Sequence, residues 1–110
     1  NKLKFDYNSA NIKDEYNPIL EKVKKYIEEK NLKVSIIGYT DSKGTKSYNK
    51  ELSLRRAESV EERLIDLGLA PERIIETIGK GDSNPIASND DEDGRAKNRR
   101  IEIKINKNQS

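Results

Sequence analysis

The chain has 110 residues, of which 38% are charged and 32% hydrophobic, and it carries a formal net charge of +2. This length fits one domain with a modest core, and the near balance of charge argues against a dedicated nucleic-acid-binding protein. The lack of cysteine and histidine excludes disulfides, thiolate nucleophiles, imidazole bases and His/Cys metal sites.

The apolar runs in the sequence are short. None approaches the roughly 20 residues that a membrane-spanning helix needs, so we expect no direct membrane insertion by this domain. We also expect no cofactor. The chain does not begin with Met, and we expect residues 1–110 to be a single domain of a larger protein.

Hydrophobic periodicity predicts the elements in the first part of the chain. Lys2–Tyr7 alternates apolar and polar residues, which predicts a half-buried strand. From Asp14, apolar residues recur every three to four positions, which predicts an amphipathic helix with Pro18 in its first turn and Asn31 as its C-cap. Lys33–Tyr39 predicts a second strand, covered on both faces near its end.

The remaining sequence predicts a second helix and two more strands, separated by polar segments. In order, these are a polar loop over Thr40–Tyr48, a helix from about Asn49 to Leu67, a turn at Pro71–Arg73, a strand over Ile74–Ile78, a long loop over Lys80–Lys97, a final strand over Asn98–Ile105 and a frayed tail over 106–110. In the final strand, Ile101, Ile103 and Ile105 share one parity and are expected to face the core.

The order of these elements predicts the fold class. A β-α-β-α-β-β order indicates an α/β (α+β) two-layer sandwich, in which two main helices cover one face of a mixed sheet. Ligand sites in open α/β folds favour the carboxyl ends of strands, and Asp41 follows the second strand at such an end.

Two adjacent arginines in the second predicted helix have different environments. On a helical wheel, Arg56 falls within the apolar sector, on the same side as Asn49 and Ser53, whereas Arg55 falls outside it. A buried arginine is costly unless it is paired, so Arg56 indicates either a binding site or an ion pair.

Asp41 and Arg56 allow two interpretations. They could bind the ammonium and the carboxylate of one zwitterion, since Asp accepts from an ammonium and Arg presents a planar fork to a carboxylate. They could also pair with each other as a structural salt bridge. The spacing alone leaves both interpretations open.

Several motifs occur in a fixed order along nearly the whole chain. They are Phe5-Asp6-Tyr7-Asn8-Ser9, Gly38-Tyr39-Thr40-Asp41, Tyr48-Asn49, Leu52-Ser53-Leu54-Arg55-Arg56-Ala57 and the segment from Gly94 to Ile103. Together they resemble the OmpA-like peptidoglycan-binding domain, the type found at the C-terminus of OmpA and in Pal and MotB.

The resemblance implies non-covalent binding of bacterial peptidoglycan through the diamino acid of the stem peptide, typically diaminopimelate. It implies a periplasmic domain that anchors an outer-membrane or other envelope protein to the cell wall, without catalysis. By motif position, Asp41 would take the free ammonium and Arg56 the carboxylate at the far end of the diamino acid. Asn49, Thr40 and Asn8 would add hydrogen bonds.

Two further arginines lie at the final predicted strand. Arg99 has the same parity as Ile101, so we expect it to point inward and help hold the carboxylate end. Arg100 has the opposite parity and is expected to be a solvated surface charge. Diaminopimelate and lanthionine carry a carboxylate at the far end, whereas lysine and ornithine do not, so the first two are expected to bind best.

Enzymatic activity and metal binding are not expected. A wall hydrolase would need paired carboxylates, such as Asp41 with Glu51 or Asp82, but nothing in the sequence raises the pKa of a particular one. The acidic run Asp90-Asp91-Glu92-Asp93 matches no calcium-binding loop.

The alternative function is a protein-interaction or dimerisation module of an envelope protein. Leu54 and Ile65 lie off the apolar sector of the second helix, which predicts a small exposed apolar patch and a possible homodimer. In this alternative, Asp41 and Arg56 form only a structural ion pair.

Overall fold

The computed structural model describes Phe5 and residues 9–106. The helices are α1 (Asn17–Glu29), α2 (Lys46–Asp66) and α3 (Glu92–Asn98), and the strands are β1 (Lys33–Tyr39), β2 (Ile74–Gly79) and β3 (Arg100–Asn106). Short 3-10 turns at Asp14–Tyr16 and Pro71–Arg73 precede α1 and β2. The predicted first strand, Lys2–Tyr7, lies outside the described residues except for Phe5.

β1 is the central strand of the sheet, which has the order β2-β1-β3 in the described part of the chain. It runs parallel to β2, where Gly38 pairs with Gly79, and antiparallel to β3, where Tyr39 pairs with Arg100. Every residue of β1 after Lys33 is buried, as predicted. The pairing confirms the predicted α/β fold with a mixed sheet.

The core lies between the sheet and one face of α1 and α2. The residues in it are at most 2% exposed and include Leu20 and Ile27 of α1, Ala57, Val60 and Leu64 of α2, and Val34, Ile36 and Ile101 of the sheet. Burial of each large aliphatic side chain contributes roughly 1.5–3 kcal/mol relative to its exposure. The two main helices therefore cover one face of the sheet, as predicted. Within the described residues, none of the helices is both long and apolar enough to span a membrane.

The ends of the two main helices follow local capping chemistry. Asn31 follows α1 with a φ of 54°, the left-handed conformation expected just beyond a helix end. α2 begins at Lys46 rather than Asn49, so the predicted loop wrongly included the first turn of this helix. The reason is Thr45, whose Oγ1 accepts a hydrogen bond from the backbone N–H of Tyr48 at 3.1 Å and caps the helix.

α2 packs closely against the carboxyl ends of β1 and β2. A Cβ atom on Gly38 would overlap the carbonyl oxygen of Ser53, and a Cβ atom on Gly79 would overlap the backbone nitrogen of Leu54. The two glycines therefore allow the helix backbone to approach the strands. This packing brings the N-terminal half of α2 beside Asp41, which follows β1.

The C-terminal region contains a helix that the sequence analysis missed. All of α3 except Asn98 forms within the predicted loop Lys80–Lys97, and Asp91 caps this helix by accepting a hydrogen bond from the backbone N–H of Gly94 at 2.7 Å. A helix this short has little hydrophobic periodicity, so the loop-like composition hid it. β3 consequently begins at Arg100 rather than Asn98, and it includes Asn106, which was wrongly assigned to the tail. Residues 107–110 lie outside the described residues.

Burial along β3 differs from the predicted alternation. Ile101 is 2% exposed, as predicted, but Ile105 is 45% exposed. Ile105 lies near the end of an outer strand of the described sheet, beside the half-exposed Tyr26 of α1. The prediction that Ile105 is a core residue was wrong because α1 covers this end of the strand only partly.

Arg100 is buried, so the prediction of a solvated surface charge was wrong. The residue is 7% exposed, and its guanidinium lies 3.8 Å from the centroid of the Tyr39 ring. Nε donates to Glu102 Oε2 at 2.7 Å, and Nη2 donates to the carbonyl oxygen of Asn84 at 3.0 Å. The burial follows from the strand register, because antiparallel pairing places Arg100 directly beside Tyr39.

The predicted apolar patch on α2 consists of Leu54 and Ile65. Leu54 and Ile65 are both only partly exposed. The backbone of Leu54 lies against Gly79 of β2, so the sheet covers part of this residue. The apolar patch and the homodimer therefore stay predictions.

Candidate functional site

A cavity of about 280 Å³ opens at the carboxyl end of β1, between the start of α2 and α3. Its lining combines the large side chains of Phe5, Tyr48 and Leu52 with Thr40, Asp41, Lys43, Gly44, Asn49, Arg56, Glu92 and Arg99. Five of the six predicted site residues line it, and the sixth, Asn8, lies outside the described residues. The cavity lies at the edge of the sheet where ligand sites of α/β folds are expected.

Asp41 provides a carboxylate in this cavity and is 8% exposed. Its Oδ1 accepts a hydrogen bond from the backbone N–H of Lys43 at 3.0 Å. Its Oδ2 accepts one from Arg99 Nη1 at 2.7 Å. A carboxylate has about four lone-pair sites, so Asp41 retains capacity for a further donor.

Thr40 and Asn49 use their polar groups to shape the loop that carries Asp41. Thr40 Oγ1 donates to the carbonyl oxygen of Asp41 at 2.9 Å. Asn49 Nδ2 donates to the carbonyl oxygen of Lys43 at 2.8 Å and lies 3.4 Å from that of Asp41. Both residues are nearly fully buried, so their first effect is to fix the position of the Asp41 carboxylate.

Arg56 is buried at the cavity, as its position on the helical wheel predicts, and is 3% exposed. Its Nε donates to the carbonyl oxygen of Ser9 at 2.9 Å, and its guanidinium lies 5.1 Å from the centroid of the Phe5 ring. Burial lowers the pKa of Arg56 and the nearby charge of Arg99 lowers it further, whereas the charge of Asp41 acts in the opposite direction. An arginine keeps its charge under such shifts, so the cavity contains a fixed cation.

Arg99 reaches the cavity from the C-terminal end of α3 rather than from a strand. Its Nη1 donates to Asp41 Oδ2 at 2.7 Å, and its Nη2 donates to Glu92 Oε2 at 2.6 Å. The hydrogen bond to Glu92 is the main cause that raises the pKa of Arg99, and the hydrogen bond to Asp41 adds to it, while burial opposes them. Arg99 therefore lines the cavity, but it lies outside β3, so the strand parity from which its orientation was predicted does not apply to it.

The salt bridges at the cavity test the interpretation that Asp41 and Arg56 form a structural ion pair with each other. Among the described residues, Asp41 forms its salt bridge with Arg99, and a direct salt bridge between Asp41 and Arg56 is not present. Arg55, the neighbour of Arg56, is exposed, as predicted. The cavity therefore brings two arginines and one buried carboxylate together without pairing Arg56 to Asp41.

Glu92 is a lining residue that the sequence analysis did not identify. It lies in the first turn of α3 and accepts from Arg99 and, at 3.4 Å, from Arg95 Nε. The hydrogen bond from Arg99 is the main cause that lowers the pKa of Glu92, against a smaller opposing effect of desolvation. The spacing between Glu92 and Arg99 could have identified this contact, since residues seven apart on a helix share one face. Using the spacing would have required the prediction that a helix, α3, forms here.

Among the remaining acidic residues of the predicted loop, Asp82 pairs with Lys46 at 3.6 Å, and Asp91 has a structural role. Asp91 caps α3, and the described residues contain no group of acidic side chains placed to hold a metal ion. The cavity offers anionic groups at Asp41 and Glu92, cationic groups at Arg56 and Arg99, and an apolar surface. This arrangement is complementary to a ligand that presents an ammonium and a carboxylate beside an aliphatic segment.

Comparison with known proteins identifies relatives in sequence and in structure. Residues 4–99 match the OmpA family. The chain is 46% identical over 102 residues to outer membrane protein A of Bordetella avium, covering 92% of this chain and 52% of that protein. It is 49% identical over 74 residues to the peptidoglycan-binding protein ArfA of Mycobacterium bovis, covering 67% of this chain and 22% of that protein.

A solved structure supports the same relationship. The peptidoglycan-associated lipoprotein of Burkholderia pseudomallei matches with a TM-score of 0.86 and 31% identity, covering 94% of this chain and 88% of that one. By contrast, the chain spans about half of outer membrane protein A and less of ArfA, at 52% and 22% of their lengths.

Proposed function

This chain belongs to the OmpA family, as its motifs predict, and we propose that it is a non-catalytic domain that binds peptidoglycan. In this proposal it acts in the periplasm and anchors a larger envelope protein to the cell wall without a covalent bond. Relatives named for peptidoglycan binding or association support the proposal. The observation that carries it is the cavity in which Asp41 lies with Arg56 and Arg99.

The proposed ligand is the diamino acid of the stem peptide. Its free ammonium binds the carboxylate of Asp41, which has lone pairs left beside its bonds to Lys43 and Arg99. Its far carboxylate lies between Arg56 and Arg99, whose planar guanidinium groups suit a carboxylate. The free ammonium and the far carboxylate are carried by the same carbon, and the aliphatic chain that joins this carbon to the peptide packs on the apolar lining, which Phe5 and Leu52 contribute to.

This arrangement makes the far carboxylate a determinant of affinity. Diaminopimelate and lanthionine present one, so they form charge-assisted hydrogen bonds with the arginines that lysine and ornithine cannot form. Such hydrogen bonds contribute about 1.5–3 kcal/mol each. We therefore propose a stem peptide with a diaminopimelate-type residue as the preferred ligand.

Calorimetric titration of the purified chain with two soluble stem tripeptides tests the proposal. The peptides differ only in their third residue, which is meso-diaminopimelate in one and L-lysine in the other. We expect the diaminopimelate peptide to bind at least about tenfold more tightly, since it alone engages the arginines. Equal affinities would contradict recognition of the far carboxylate, and no binding of either peptide would contradict the proposed function.

A further inference from the structure

Glu92 lies on α3 and contacts two arginines, Arg99 at the candidate site and Arg95 on the same helix. Its Oε2 accepts from Arg99 Nη2 at 2.6 Å, and its Oε1 lies 3.4 Å from Arg95 Nε. Arg95 is held in turn, because its Nη1 donates to the carbonyl oxygen of Asn89 at 2.9 Å. Glu92 is therefore fixed from one side while it holds Arg99 on the other.

The backbone that carries Glu92 is also fixed. Asp91 caps α3, and a Cβ atom on Gly94 would overlap the carbonyl oxygen of Ser88, so the helix packs directly on the preceding loop. Asn98, which is fully buried, accepts from two backbone N–H groups of that loop at 2.8 and 3.1 Å. α3 therefore places Glu92 on a rigid support, which is what a precise contact with Arg99 requires.

Arg99 needs a second partner when a ligand occupies the cavity. The side chain of Arg99 is 30% exposed, and Asp41 and Glu92 accept from its two terminal nitrogens. An ammonium bound at Asp41 repels the guanidinium and shares the same carboxylate, so it weakens the hold of Asp41 on Arg99. A long side chain with one weakened contact gains conformational entropy by turning toward solvent. Glu92 opposes this motion because it binds the other terminal nitrogen.

We propose that Glu92 is a positioning residue that keeps Arg99 directed at the far carboxylate of the ligand and so sets the preference for a carboxylate-bearing diamino acid. This inference rests on the proposed function. Glu92 acts through Arg99, so its contribution is made to ligands that present the far carboxylate. A lysine-containing peptide lacks that group, and its affinity does not depend on where Arg99 points.

Titration of variants with the diaminopimelate and lysine tripeptides tests this inference. We expect Glu92→Ala to weaken binding of the diaminopimelate peptide roughly fivefold, and that of the lysine peptide by less than about twofold. Glu92→Gln keeps an oxygen that accepts from Arg99, so it should restore most of the lost affinity. Asp93→Ala is the matched control, because Asp93 is an exposed acidic residue in the same helical turn. This control should leave both affinities unchanged.

Each result separates the inference from the proposed function. If the wild type prefers the diaminopimelate peptide but Glu92→Ala binds it equally well or more tightly, the inference is wrong and the proposed function stands. An equal loss for both peptides would show a general structural role for Glu92 and would also overturn the inference. If the wild type binds neither peptide, both the inference and the proposed function are wrong.

Discussion

Arg99 Nη1 lies 2.7 Å from Asp41 Oδ2, although the two residues are 58 positions apart in the chain. The contact joins the loop after β1 to the end of α3, and it closes one side of the cavity. Because Arg99 also pairs with Glu92, a single guanidinium links a buried carboxylate to a more exposed one. The charge pattern of the site therefore depends on residues from distant parts of the described chain.

The titration of Glu92 tests this link directly. Arg99 holds the pKa of Glu92 below its ordinary value of 4.5. Because the pKa is lowered in the folded state, the pair contributes fully above that ordinary value and is lost as the pH falls through the lower folded value. In an NMR titration of side-chain carboxyl carbons, Arg99→Gln should raise the pKa of Glu92, and Arg95→Gln should raise it less. Arg55→Gln is the control, and an unchanged pKa in Arg99→Gln would contradict the pairing.

The adjacent pair Arg55 and Arg56 offers a matched test of carboxylate binding. Arg56→Lys keeps a positive charge but loses the planar fork and the Nε hydrogen bond to Ser9. We expect this variant to lose about tenfold or more in affinity for the diaminopimelate peptide. Arg55→Lys changes an exposed side chain and should bind as the wild type does. Retention of full affinity by a folded Arg56→Lys variant would rule out the assigned role.

Arg100 should contribute to stability rather than to ligand binding. Its side chain stacks on Tyr39 and donates hydrogen bonds to Glu102 and to backbone carbonyls. Arg100→Ala removes these contacts, and we expect it to lower the free energy of unfolding by about 2–4 kcal/mol in urea denaturation. Arg55→Ala should change it by less than about 0.5 kcal/mol. Equal stability of the two variants would contradict a buried role for Arg100.

The close approach of α2 to β1 makes Gly38 a sensitive position. In Gly38→Ala, the added methyl group overlaps the carbonyl oxygen of Ser53, so helix and strand must separate. We expect a loss of about 3 kcal/mol in the free energy of unfolding, measured by thermal or urea denaturation. Ser42→Ala, in the exposed loop after Asp41, is a control that should cost little. A stable Gly38→Ala variant would mean that this interface tolerates a wider spacing.

The sequence predicts those parts of the site that depend on local periodicity. The position of Arg56 follows from the amphipathic pattern of a long helix, and that of Asp41 follows from the end of a buried strand. Both patterns repeat over several residues, so a single sequence reveals them. The burial of Arg56 is confirmed, as is the mixed sheet on which the site is built.

Other parts of the site depend on contacts between distant segments, which periodicity does not encode. Glu92 was missed because α3 is a short helix defined by the cap at Asp91. Arg100 was misassigned because strand parity gives the face of a sheet but not what covers that face. Its partner Tyr39 follows from the pairing of β1 with β3, which a single sequence does not specify.

Co-sedimentation with purified sacculi that contain diaminopimelate tests whether the Asp41 carboxylate binds the cell wall. The samples are the wild type, Asp41→Asn, and the control Asp90→Asn, which changes an exposed aspartate. Asn at position 41 keeps an oxygen for the Lys43 N–H but loses the charge that binds an ammonium. We expect the wild type and Asp90→Asn to pellet with the sacculi, while folded Asp41→Asn stays in the supernatant. Pelleting of Asp41→Asn to the same extent as the wild type, or failure of the wild type to pellet, would contradict the account.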